Sequence, residues 1–175
     1  PSVVGIDILL TYMEATPMGE QSEVSRLIEI CREMGNVVSA ASLIPPDQAY
    51  ERSGNPHEHF ELHALEALSR KGAHLDPSIY GDIPLGQVRK RPVPGLIASS
   101  ADLGLVQVWP APSSGETLRH LAPFMAWGAP DEPPSRVYGI MALAMAAQHL
   151  GVTITDLRSG RELPIDDQGR LWLNW

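Results

Sequence analysis

The run Val3-Val4-Gly5-Ile6-Asp7-Ile8-Leu9-Leu10 constrains this chain more than any other stretch. Six of its eight residues are apolar, several are β-branched, and the run is too short to stand as an independent helix. It reads as a buried strand covered on both faces, and therefore as a central one. A pleated strand places Asp7 on one face with Val3, Gly5 and Leu9, opposite Val4, Ile6 and Ile8. A carboxylate in an apolar layer must find hydrogen-bond donors or belong to a site. Asp7 is thus either a structural tie for the loop that follows or a ligand contact.

The rest of the chain supplies elements to pack around that strand. Residues 11–19 form a loop ending at Pro17 and Gly19. Residues 20–34 carry apolar side chains at Val24, Leu27, Ile28, Cys31 and Met34, the spacing of one helical face, and Gly35-Asn36 stops the helix. The run 37–44 is a second buried strand, so the first units form a right-handed β-α-β crossover with two parallel strands. After a polar excursion at 47–56, residues 57–71 fit a helix with a Phe60, Ala64, Leu65 and Leu68 stripe, ended by Gly72. Residues 74–94 read as loop, 95–102 as a short helix and 103–109 as a third strand. A fourth strand at 118–124 is expected to pair with the third.

Ser135 reads as the N-cap of a helix running through Val137, Ile140, Met141, Leu143, Ala144, Ala147 and Leu150 to Gly151. Almost free of charge, that helix should lie against the sheet over much of its circumference. Short strands are expected at 152–157, 163–165 and 170–175, the last two joined as a hairpin with Gly169 in the left-handed position. The order of elements predicts a single α/β domain with a mixed β-sheet flanked by helices and a C-terminal β-hairpin.

Composition enters where it excludes function classes. With 175 residues, 43% of them hydrophobic, the chain can bury one proper core. A formal net charge of −8 argues against a general nucleic-acid surface, which needs clustered basic residues. Cys31 is the one cysteine, so an intrachain disulfide or a multi-cysteine metal site is impossible. No apolar run is long enough to span a bilayer, and no signal peptide precedes the first strand. A core strand starting almost at Pro1 leads us to expect a segment cut from a longer polypeptide.

Several groups are candidate sites. His57, His59 and His63 lie among Glu58, Glu61 and Glu66, and His59 and His63 would share a helix face, as two imidazole metal ligands require. The alternative is a solvated histidine cluster. Arg89-Lys90-Arg91 is a positive patch that could meet an anionic ligand or lipid headgroups, or simply be solvated. Cys31 sits on an apolar stripe, which favours a buried inert thiol over a nucleophile. Trp109, Trp127, Trp172 and Trp175 suit core packing first, and a ligand pocket or a membrane-proximal surface second. No G-x-x-x-x-G-K-[ST], G-x-S-x-G or G-x-G-x-x-G motif occurs, so neither catalysis nor a cofactor is expected.

Taken in order, VVGIDILL at 3–10, the helix end Gly35-Asn36-Val37-Val38, SSADLGLVQV at 99–108, PSRVYGIMALAMAA from Pro134, and LPIDDQGRLWLNW at 163–175 resemble the second class of CHASE domains. These are the cyclase- and histidine-kinase-associated extracellular sensory domains. The resemblance implies an extracytoplasmic input domain, periplasmic or at the cell surface, of a membrane receptor. Adjacent transmembrane helices would couple it to a cytoplasmic histidine kinase, nucleotide cyclase or Ser/Thr kinase, and it would sense an unknown small-molecule or environmental signal. A homodimer is expected because such output modules work as dimers.

Family members usually begin with a further strand and helix, so the N-terminal part of the family domain is expected to be missing here. Many also carry an Asp-Gly turn and an arginine shortly after the SSADLGLVQV position. Here the loop is Pro112-Ser113-Ser114-Gly115, and the nearest arginine is Arg119. The resemblance transfers no catalytic residue. The candidate ligand contacts are then Asp7, Arg89, Arg91 and Arg119, with His59 and His63 for a metal. Two other classes stay open: a soluble α/β enzyme with a strand-end site near Asp7, and a non-catalytic dimerisation domain.

Overall fold

The computed structural model describes residues 2–7, 18–44, 68, 70–76, 78, 83–90, 93–106, 120–127, 133–159, 163, 165–166 and 169–172. Its organising strand is β2 (Val37–Ile44), flanked by the parallel strands β1 (Val4–Ile6) and β5 (Asp102–Leu105). The ladders run Val4↔Val37 to Ile6↔Ser39 and Val38↔Asp102 to Ala41↔Leu105. The expected parallel β-α-β unit is present. Centrality, however, belongs to β2 and not to β1: Val37, Val38, Ser39, Ala40, Ala41 and Leu43 are all buried, whereas Val4 is 37% exposed. Gly5 contributes no apolar side chain, and Ile6 alone of the three β1 residues packs against a core cluster.

Helix α1 (Met18–Met34) crosses between β1 and β2 and begins two residues before the expected start. Cys31 is buried and Leu27 and Ile28 are partly buried against it, while Met34 is 45% exposed because the apolar cluster ends one turn earlier. Gly35 ends the helix at φ +65°, and its N–H donates to the Cys31 carbonyl at 3.1 Å. Helix α2 (Pro94–Ser99) packs against α1 and is shorter than expected, because Asp102 already opens β5. Proline in its first turn needs no donor there.

Two strands occur within what reads as loop. β3 (Ala73–His74) and β4 (Gln87–Lys90) lack an apolar alternation of their own and form by long-range pairing. β4 runs antiparallel to the end of β2, and β3 runs antiparallel to β8 (Arg136–Gly139). The expected fourth strand is divided into β6 (His120–Leu121) and β7 (Phe124–Trp127). Pro123 between them has no N–H for a ladder. Neither half has a register with β5: β7 pairs with β8 and β6 with β9 (Leu171–Trp172).

The long helix expected from Ser135 is also divided. Residues 136–139 form β8, and α3 (Met141–Leu150) begins five residues later than the start at 136 that an N-cap at Ser135 implies. Ser135 is a strand-entry residue, its N–H donating to the Trp127 carbonyl at 3.0 Å. Val137 and Tyr138 are both fully buried, in different clusters, as successive strand residues on opposite faces can be and successive helix residues are not. The strand expected at 152–157 is instead α4 (Ile154–Ser159). Thr153 caps it: its N–H and Oγ1 donate to Asp156 Oδ2 at 2.8 and 2.7 Å, and the Asp156 N–H returns to Thr153 Oγ1 at 3.1 Å.

The two sheets are joined by parallel bridges at Leu105↔Ile140 and Leu85↔Ala126. Ala41, Leu43, Leu68, Ile97, Leu103, Leu105, Met125, Trp127 and Tyr138 form the main core between them, with the Trp127 and Tyr138 rings edge to face at 6.3 Å. On the other face of the β7–β8 pair, α3 and α4 bury Leu143, Ala147, Ile154 and Leu157 against Phe124 and Val137. α3 also extends over β1, β2 and β5. It approaches closely because the strand positions beneath it are Gly5 and Gly104.

Near the C-terminus, among the described residues, Ile165↔Leu171 is a single antiparallel bridge, with Gly169 at φ +74°. Asp166 organises this turn. It accepts the Arg170 N–H at 2.8 Å, Arg170 Nε at 2.9 Å and the Trp172 indole N–H at 2.9 Å. Partial desolvation opposes ionisation, but these donors outweigh it and hold the Asp166 carboxyl down at about 2. Its contribution to stability is therefore present above the ordinary value of 3.8 and lost as pH falls through about 2. In an acid titration followed by NMR, the Trp172 indole N–H should shift with a midpoint near 2; a midpoint at 3.8 would contradict the turn geometry.

Candidate functional site: a cleft at the strand ends

The parallel strands β1 and β5 point their C-terminal ends at the start of α3, and a cleft of about 210 Å³ opens there. Asp7 follows β1, Leu105 and Val106 close β5, Ile140, Met141 and Ala142 begin α3, and Leu121 comes from β6. Pleat parity explains Asp7. It shares the face of Gly5, and Gly5 lies under Met145 of α3, so the carboxylate emerges on the side where that helix starts. Gly104 lets the start of α3 approach β5 closely, since a Cβ there would stand 2.6 Å from the Met141 Cα.

Helix α3 enters with extended backbone at Ile140 and no side-chain cap, and its first turn holds no acid. The Ile140 carbonyl accepts the N–H groups of Leu143 and Ala144, and the Ile140 N–H is fixed to the Pro123 carbonyl at 2.9 Å. Most of the lining is aliphatic, and Asp7 is its one ionisable side chain among the described residues. The site can therefore hold a compact apolar body and present one carboxylate to it.

A second polar group sits at the opposite end of β5 and is a clamp. Asp102 Oδ1 accepts the Gly72 N–H at 3.1 Å and the Leu103 N–H at 2.8 Å. Lys71 donates to the Ser100 carbonyl, Ser100 Oγ meets Ser39 Oγ at 2.6 Å, and the Tyr138 hydroxyl donates to the Leu68 carbonyl at 2.5 Å. Burial raises the Asp102 carboxyl and lowers the Lys71 amine, each partly offset by the other's charge. Burial, reinforced by the Asp102 charge, also pushes the Tyr138 phenol up. These bonds tie Leu68, Lys71 and Gly72 to β8, the end of α2 and β5.

Of the sequence candidates, Asp7 is brought to the cleft. Arg89 lies in β4, and Arg91, Arg119, His59 and His63 lie outside the described residues. Among the described residues no group of three potential ligands could hold a metal ion. Cys31 is buried and its thiol is pushed up by desolvation, as an unreactive cysteine requires. Trp127 is core, Trp172 is half exposed beneath the Arg170 guanidinium, and Trp109 and Trp175 are outside the described residues.

The clamp escaped sequence reading. Its signal was polar side chains inside apolar runs, Ser39 in β2 and Asp102 before Leu103-Gly104-Leu105. Among the described residues no helix is long and apolar enough to cross a membrane. Compared with protein-family models, curated proteins and solved structures, the chain matches none.

Proposed function

We propose that this chain is an extracytoplasmic sensory input domain of a membrane receptor, resembling the second class of CHASE domains. It binds a small ligand in the cleft at the ends of β1 and β5. One observation carries this reading: three separate stretches that bear the resemblance supply the cleft. VVGIDILL contributes Asp7, SSADLGLVQV contributes Leu105 and Val106, and PSRVYGIMALAMAA contributes Ile140, Met141 and Ala142. Open α/β sheets place ligands outside the carboxyl ends of their parallel strands, and this cleft has that position.

A ligand here touches both β5 and α3, and α3 spans the sheet from β5 to β1. Binding that favours one seating of α3 over another is the differential contact a signal needs. An adjoining membrane helix would carry the change to a kinase or cyclase module, with two copies acting together as a homodimer. The enzyme reading has less support, since the described lining assembles no nucleophile beside a base.

The test is a thermal-shift screen with small metabolites, followed by Ala142→Leu, which fills the mouth of the cleft from an exposed helix position. A saturable rise in melting temperature that Ala142→Leu abolishes supports the reading. A rise untouched by that substitution, or no rise with any compound, overturns the cleft as the sensory site.

A further inference from the structure

Resting on the sensory reading above, we propose that the cleft takes a small organic cation: an ammonium group on a short aliphatic body, with Asp7 as its counter-ion. Size sets the first limit. The cleft of about 210 Å³ is at the small end for a ligand site and suits a compact metabolite.

Chemistry of the wall sets the second limit. Leu105, Val106, Leu121, Ile140 and Met141 offer methyl and methylene surface, which suits an aliphatic body and wastes the hydrogen-bonding capacity of a sugar. Among the described lining residues Asp7 alone carries a charge, and it sets the sign expected of the ligand. An anionic ligand in so small a cleft would meet the Asp7 carboxylate at short range, whereas an ammonium forms a charge-assisted hydrogen bond with it. A bare divalent cation needs several oxygen ligands, and the described lining supplies one carboxylate.

The arrangement places the two halves of such a ligand without rearranging the fold. Asp7 is exposed at the rim, where it can exchange water for an ammonium, and the aliphatic wall lies inward against β5 and α3. The cation then bridges β1 to α3 through its own body, which makes occupancy of the cleft mechanically visible to the helix.

Chemical-shift titration of the ¹⁵N-labelled chain with n-butylammonium, n-butanol and butyrate tests this. Butylammonium should move the Val106 and Ala142 amides saturably, n-butanol about tenfold more weakly, and butyrate not at all. Asp7→Asn should weaken butylammonium about tenfold or more, as loss of a charged hydrogen bond does, with the melting temperature unchanged. Ala142→Leu should block it. If butyrate or n-butanol binds as well as the amine, or Asp7→Asn binds it unchanged, the cation assignment is wrong while the cleft remains a ligand site. If no probe moves the cleft amides, the cation assignment fails, and the sensory reading of the cleft is decided by the metabolite screen.

Discussion

Gly104→Ala should destabilise the protein by about 2–3 kcal/mol, the upper part of the range for forced overpacking. The new Cβ would stand 2.6 Å from the Met141 Cα and 2.7 Å from its Sδ. The sulfur can swing away, but the backbone atom cannot. Relief requires α3 to lift from β5, and that movement strains the Leu105↔Ile140 bridge and the hydrogen bond from the Ile140 N–H to the Pro123 carbonyl.

Gly5→Ala is the internal control. Its Cβ would meet the Met145 side chain, with Sδ at 2.6 Å, and a flexible thioether can repack. We expect a loss of about 1 kcal/mol or less there. Chemical denaturation of both variants decides the point. Equal losses would mean that α3 is not seated by its contact with Gly104.

Asp102→Ala should cost about 3 kcal/mol, because it strips the acceptor from two backbone N–H groups and leaves Lys71 partly buried without its neighbouring charge. Asp102→Asn keeps an acceptor oxygen and should cost less. The pH dependence separates the roles. Burial raises the folded carboxyl above its ordinary 3.8, so the protonated form is the one the fold favours. The contribution of this group is full below 3.8 and is lost as pH rises through the raised folded value. Wild-type stability relative to Asp102→Asn should therefore fall as pH rises across that window. A relative gain over the same window would show that Lys71 and the two amides outweigh burial.

The β-α-β start was legible because its signals are local and repeated: a β-branched run, a helical stripe from Val24 to Cys31, and Gly35 in the left-handed conformation. The bounds of β2 are those the sequence predicts. What misled was Val137 to Ile140. The 3.6-residue spacing continues through them into α3, but Val137 and Tyr138 each fill a separate core from opposite faces of β8. Local periodicity does not report that the chain has a sheet on one side and two helices on the other. The Thr153-x-x-Asp156 capping box was a visible helix signal, outweighed by the β-branched residues around it. β3 and β4 carry no local signal at all, since their partners lie far along the chain in β8 and β2.

Asp7 was legible as an exception: a carboxylate within an apolar run has to be accounted for, and strand parity already placed it on the face of Gly5. Leu121, Ile140, Met141 and Ala142 were not legible as its neighbours. They reach the cleft only because α3 starts at the sheet surface over Gly104, a tertiary approach that no spacing along the chain records.

The most direct test of the whole account is a chemical-shift map of a saturating ligand from the metabolite screen on the ¹⁵N-labelled chain. The account predicts that the largest shifts cluster at Asp7, Leu105, Val106, Leu121 and 140–142 and decay along α3 toward Leu150. Shifts centred on α1 or α4 with the cleft silent would contradict it.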